Sequence, residues 1–223
     1  MSNHPDIDIL YIDNHLIAVC KPAGMLTQPD DSGDVSLMEK VKKWIKAEYK
    51  KPGNVFLGLV HRLDRPVSGV VVFGLTSKGA SRLSEQFRQK TTKKFYRTLV
   101  EETPKPLQGS LRHYLRKEKS LKVTVFPRPS PDAKEALLDY KVIENFKNTS
   151  LLNIRLHTGR FHQIRAQLSF IGYPIVGDKK YGASSVLPEG RIALHAQSIV
   201  FNHPTSKKEI IINCPLPEDW PSI

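Results

Sequence analysis

The chain has 223 residues, enough for one large core or two closely packed lobes. Its 34 Lys and Arg exceed 22 Asp and Glu by a formal charge of +12, which favours a polyanionic partner such as nucleic acid or an anionic surface. The polar start Met1-Ser-Asn-His-Pro-Asp6, and the lack of any apolar run near the roughly 18 residues a spanning helix needs, argue against a membrane span and against export; the expected location is cytoplasmic.

In chain order, the segment Ile7 to Val19 is apolar on both sides of the turn-prone pair Asp13-Asn14, which predicts a hairpin ending at Lys21-Pro22. Ser36-Leu-Met-Glu39 has capping-box spacing. Leu37, Val41, Trp44 and Ile45 then form an apolar stripe opposite Lys40, Lys42, Lys43 and Lys46, and Pro52-Gly53 stops this helix. A short strand is expected near Phe56 to Val60, and the β-branched run Val70 to Phe73 reads as a buried strand. Ser77 is placed to cap a helix that turns Ala80, Leu83 and Phe87 inward. Lys94 to Val100 reads as a strand, and the basic stretch Leu111 to Phe126 as two exposed strands with a mobile loop at Pro127 to Pro131. Leu137 to Glu144 and Leu151 to His157 predict a second hairpin. Phe161, Ile164 and Leu168 mark the inner face of a helix stopped near Gly172-Tyr-Pro174, and strands resume near Ile192 to Phe201 and Glu209 to Ile212. Many strands, about three helices and no regular βαβ alternation imply an α+β fold with a largely antiparallel central sheet flanked by helices. Cys20 and Cys214 lack CxxC spacing and read as buried free thiols of a reducing compartment.

Three clusters carry candidate chemistry. In His61-Arg-Leu-Asp-Arg65 one carboxylate stands among cations, which should hold Asp64 ionised, and a positioned carboxylate can attack an electron-poor carbon. An ordinary strand-end aspartate paired with Arg62 or Arg65 would look the same by spacing. Thr158-Gly-Arg-Phe-His-Gln-Ile-Arg165 gathers Arg160, His162 and Arg165 at a helix start, suited to phosphate or carboxylate, although a solvated basic face has the same pattern. In Lys93-Lys-Phe-Tyr96 the tyrosine could stack on a base or simply pack on its strand.

Taken in order, His61-Arg-Leu-Asp-Arg65 with Ser68-Gly69, Lys94-x-Tyr96, Thr158-Gly-Arg160 and His162-Gln-Ile-Arg165 resemble the RluA-type pseudouridine synthases. The resemblance runs from about Leu10 to Pro215 and takes in Lys21-Pro22-x-Gly24, Gly172-x-Pro174-Ile-x-Gly177-Asp178 and Leu194-His-Ala196. It implies a single catalytic domain over residues 1–223, without the accessory RNA-binding domain that some relatives carry in front. It also implies ribosomal or transfer RNA as substrate, a monomer as the default, and no metal or organic cofactor. Asp64 matches the family's essential aspartate, Tyr96 the tyrosine packed on the target base, and Arg165 the basic partner of the aspartate. Arg62 matches an arginine that helps displace the target nucleotide, and His61, Arg65, Arg160, His162 and Ile164 fall with the substrate-binding motifs. Pro66-Val67 departs from the usual acidic or polar residue followed by threonine, which is expected to tune the loop.

Lysines and arginines of the first helix, of Leu111 to Lys122 and at Lys179-Lys180 are expected to meet phosphates without reading sequence, so that binding weakens steeply with salt. Two rivals stay open at this point. One is a glycoside hydrolase or nucleosidase pairing Asp64 with Glu85 or Asp178. The other is a noncatalytic RNA-binding or ribosome-assembly protein using the same basic surface. A membrane-surface protein is weaker, because a core would claim the apolar face of Leu37 to Tyr49 first.

Overall fold

In a computed structural model that describes residues 7–221, the chain forms eleven strands and three α-helices, an α+β arrangement whose strands pair mostly antiparallel. Contacts divide it into two compact units. The first joins the N-terminal part up to Thr92 with Ala196–Pro217, and the second is Lys93–His195 with residues after Pro217.

The first unit is built on a short antiparallel ladder. Strands β1 (Asp8–Ile12) and β2 (Leu16–Lys21) make the expected hairpin, and β2 pairs along its length with β4 (Ser68–Gly74). Val70, Val71, Val72 and Phe73 are at most 2% exposed, each worth about 1.5–3 kcal/mol of apolar burial. The hairpin turn is fixed by Asp13, whose carboxylate accepts from the backbone N–H groups of His15 (2.7 Å) and Leu16 (2.8 Å), the Tyr11 hydroxyl (2.7 Å) and His203 Nε2 (2.8 Å). These donors hold the Asp13 carboxyl below its usual range against the opposing effect of burial. The expected strand near Phe56 to Val60 shrinks to β3 (Gly58–Leu59), since only two residues reach β4.

Helix α1 (Leu37–Glu48) opens on the capping box: Ser36 Oγ accepts from Glu39 N–H at 3.3 Å, and Glu39 Oε2 accepts from Ser36 N–H at 2.9 Å. It ends ahead of Pro52. Helix α2 (Ser77–Arg88) is capped one residue earlier than expected, because Thr76 has the extended backbone of a cap and its Oγ1 accepts from Gly79 N–H at 3.0 Å. Ala80 of α2 lies so close to Gly74 and Gly58 that a Cβ on either would come within 2.6 Å of it, which is why both strands carry glycine there. Strand β10 (Leu194–Asn202) begins in the second unit and continues in the first, where it pairs with β11 (Glu209–Asn213).

Just after β11, Cys214 donates its S–H to Cys20 Sγ at 2.6 Å. A sequence separation of 194 residues hid that they are neighbours. This donation favours the Cys20 thiolate and pushes the Cys214 thiol up.

The second unit is a meander of long strands. β5 (Lys93–Glu101) pairs with β9 (Thr149–Leu156), β9 with β8 (Lys134–Asn145), β8 with β6 (Gln108–Lys117), and β6 with the short β7 (Val123–Phe126). The predicted pair of strands in the basic middle segment is therefore present. Helix α3 (Gln163–Phe170) starts two residues after Phe161, which lies outside it and is half-buried. Gln163 through Leu168 are all buried, so the helix has no solvated face over that stretch.

Candidate active site

In the first unit the segment His61 to Val67 bridges β3 and β4, and its backbone is clamped on both sides of Asp64. Buried Thr27 grips Leu63 twice: its Oγ1 donates to Leu63 O at 2.9 Å and accepts from Leu63 N–H at 3.2 Å. On the other side, Arg65 O accepts from Gly24 N–H at 2.8 Å and from Lys21 Nζ at 3.1 Å, while Arg65 Nε donates back to Gly24 O at 3.0 Å. Val67 N–H closes a turn onto Asp64 O at 3.1 Å. With Leu63 and Arg65 fixed, the intervening half-buried Asp64 has little freedom beyond its own side-chain torsions.

Lys21 stood in the sequence only as the end of the first hairpin and as part of Lys21-Pro22-x-Gly24, with no role at the site. It closes the apolar strand Leu16–Lys21, is fully buried, and donates to three carbonyls: Pro22 (2.9 Å), Met25 (2.7 Å) and Arg65 (3.1 Å). Burial drives its ammonium down to about 7, and the Asp64 charge opposes that fall. An unfolded chain keeps this proton up to about 10.5, so between pH 7 and 10.5 the unfolded state binds more protons and stability rises with pH. Below pH 7 both states are charged and the burial penalty stands in full. We therefore expect the stability of the parent relative to Lys21→Met, measured by urea unfolding, to increase between pH 6.5 and 9.5. The rise should be on the order of 1.4 kcal/mol per tenfold difference in proton affinity. A flat difference would mean that Lys21 titrates as a solvated lysine.

The other predicted residues of this unit divide clearly. His61 Nε2 accepts from Val72 N–H at 3.0 Å and its ring stacks on Phe87 at 4.8 Å, so it anchors the start of the loop. Arg62 is exposed, and Arg65 is exposed and paired with Asp34 at 2.7 Å. Glu85, the rival second carboxyl, is ion-paired one turn along α2 with Arg88.

In the second unit Tyr96 is half-buried in the middle of β5, opposite Ile154. The motif after β9 is stitched by two buried side chains. Thr158 Oγ1 accepts from Leu137 N–H at 2.9 Å and donates to Gln163 Oε1 at 2.7 Å, and that oxygen also accepts from Arg160 N–H at 3.0 Å. Arg160 Nε donates to Glu135 O at 2.9 Å. His162 sits in a left-handed conformation (φ 50) at the head of α3 with Nδ1 2.9 Å from the Tyr181 hydroxyl, and Ile164 is 4% exposed. His162 and Ile164 are thus packed supports of the motif. Arg165 is 5% exposed and meets Asp178, 1% exposed, in a two-pronged pair: Nε to Oδ2 at 2.7 Å and Nη2 to Oδ1 at 2.9 Å. Its guanidinium also lies over the Tyr181 ring at 5.1 Å. The sequence did not single out Thr27 or Tyr181, while Thr158, Gln163 and Asp178 stood only as members of the ordered motifs, Asp178 also as a rival acid.

Comparisons with known proteins bear on the family and the fold. Residues 15–170 match the family described as RNA pseudouridylate synthase. Among curated relatives, a ribosomal large subunit pseudouridine synthase C from Buchnera aphidicola is 34% identical over 93% of this chain and 66% of its own length. A tRNA pseudouridine synthase C from Haemophilus influenzae is 33% identical over 96% of this chain and 95% of its own. The chain spans about two thirds of the ribosomal relative. Among solved structures, human RNA pseudouridylate synthase domain containing 4 superposes with a TM-score of 0.79 at 24% identity, covering 95% of this chain and 89% of that one; this likeness bears on the fold.

Proposed function

This chain belongs to the RNA pseudouridylate synthase family, and we propose that it isomerises uridine to pseudouridine within ribosomal or transfer RNA, with Asp64 as the nucleophile. The observation that carries the reading is the clamped loop around Asp64 in a chain whose residues 15–170 match that family. The reaction breaks the C1′–N1 bond, turns the base while it stays bound, and joins C5 to C1′. Asp64 attacks C1′ or adds to C6, or the 2′ proton leaves to give a glycal; each route needs a carboxylate held in place and kept ionised.

We assign the remaining parts as follows. Tyr96 packs on the extruded base, Arg62 helps displace the target nucleotide, and Arg165 supplies a directed cation to the reaction. Arg65 and Arg160 meet the RNA, whereas His61, His162 and Ile164 hold these groups in position. No cofactor is part of the proposal, the acting form is a monomer, and the setting is cytoplasmic. No helix among the described residues is long and apolar enough to cross a membrane.

The glycosidase rival needs a second working carboxyl. Glu85 is tied to Arg88 and Asp178 is buried on Arg165, so neither is set up as a proton donor. Mapping pseudouridine by carbodiimide labelling and mass spectrometry, in ribosomal and transfer RNA from cells with and without the gene, tests the reading. A defined pseudouridine that vanishes with the gene and returns with it supports the synthase; an unchanged map favours the noncatalytic RNA-binding protein.

A further inference from the structure

We propose that Asp178 is a positioning residue for the reaction: it fixes the direction in which Arg165 presents its guanidinium, and it acts only through that side chain. The inference rests on the role given to Arg165 above. Asp178 grips the Nε and Nη2 edge of Arg165 with both carboxylate oxygens, while the Tyr181 ring covers a face of the guanidinium at 5.1 Å. A planar group held along one edge and over one face has no remaining rotation, so the direction of Nη1, outside this pair, is set by the frame.

The frame is itself rigid. Asp178 O accepts from Tyr181 N–H at 3.0 Å and Ala183 N–H at 3.1 Å, so the turn Lys179–Tyr181 places carboxylate and ring together. The Tyr181 hydroxyl is 2.9 Å from His162 Nδ1 at the head of α3, the helix that carries Arg165. Upstream, Gly177 N–H donates to Ser185 Oγ at 3.0 Å, and Ser185 Oγ donates to Glu101 Oε1 at 2.6 Å, which anchors the turn to the end of β5. Gly177 (φ +86) has no room for a side chain, since a Cβ would come within 2.7 Å of Arg191 O.

The pair also bears on binding. Arg165 and Asp178 cancel in net charge, so together they offer a directed N–H donor and contribute little to long-range attraction for phosphate. Loss of Asp178 adds only one uncompensated positive charge, buried on Arg165, to a chain of formal charge +12, so it should touch turnover and leave RNA affinity nearly unchanged.

The test is a single-turnover rate and an RNA dissociation constant for Arg165→Met, Asp178→Asn, Asp178→Glu and the double variant Arg165→Met/Asp178→Asn. Asp178→Glu keeps the charge but moves the guanidinium by about 1 Å, a displacement that costs on the order of 100-fold in rate. We expect Asp178→Asn and Asp178→Glu each to slow turnover on that order, with the dissociation constant within about threefold of the parent. The double variant should be no slower than Arg165→Met alone, as befits residues acting as one unit. If Arg165→Met is slow while Asp178→Glu, melting like the parent, keeps the parental rate, the inference falls and the role of Arg165 stands. Multiplied losses in the double variant overturn it too. A parental rate for Arg165→Met removes the role of Arg165 and the inference with it.

Discussion

An Asp64→Asn variant is expected to form no detectable pseudouridine, a fall of at least about 10⁴-fold in single-turnover rate, while binding substrate RNA within about threefold of the parent. The amide is nearly the same size as the carboxylate and changes none of the contacts that clamp the loop, because those run through Thr27, Lys21 and Gly24 to the backbone of Leu63 and Arg65. What it removes is the anionic oxygen that all three chemical routes need. Rate is read by quenching at fixed times and counting labelled sites, and affinity by filter binding. A residual rate within tenfold of the parent would take the nucleophile's role away from Asp64.

The second large effect is on folding. Gly69, the second residue of β4, has φ +123, and a Cβ there would lie 2.3 Å from Ala196 O and 2.5 Å from Ala196 N. These are backbone atoms that cannot swing aside. Gly69→Ala is therefore expected to cost at least about 3 kcal/mol in urea unfolding, combining strain at a position that disfavours a side chain with a collision against the main chain. Two controls separate the causes. Gly33→Ala (φ +77, nothing within 4 Å) should show the conformational cost alone, about 1 kcal/mol, and Gly53→Ala, with open space and no positive φ, should change little. Equal midpoints for Gly69→Ala and Gly53→Ala would contradict the close packing of β4.

Elements with strong periodicity or a local stop signal were legible in the sequence. The capping box of Ser36 and Glu39, the β-branched run of β4 and both hairpins lie where pattern and turn chemistry put them. Two details were not, for identifiable reasons. Thr76 and Ser77 are both good caps, and only the extended backbone at Thr76 decides between them. Helix α3 reads as amphipathic because Gln163, Arg165 and Gln167 are polar, yet all three are buried: Gln163 is bonded to Thr158 and Leu137 O, Arg165 to Asp178, and Gln167 to Leu111 O. Polarity there marks a hydrogen-bonded interior, which a hydrophobic pattern cannot distinguish from a wet face.

The candidate site divides in the same way. Motif order singled out Asp64, Tyr96 and Arg165, and it included Lys21 and Asp178 without giving them a part. Lys21 otherwise looked like the polar end of a strand, and Asp178 like a possible acid. Their burial and their partners, which spacing does not contain, assign what they hold.

Because the first unit combines residues up to Thr92 with Ala196–Pro217, it is discontinuous in the chain, and Lys93–His195 of the second unit are synthesised between its halves. The loop carrying Asp64 leaves the ribosome early with its clamps Lys21, Gly24 and Thr27, but the backbone at Ala196 against which Gly69 packs arrives more than a hundred residues later. Translation order thus delays completion of the aspartate's surroundings until nearly the entire polypeptide exists. A nascent chain carries Asp64 and its clamps long before it carries the completed first unit.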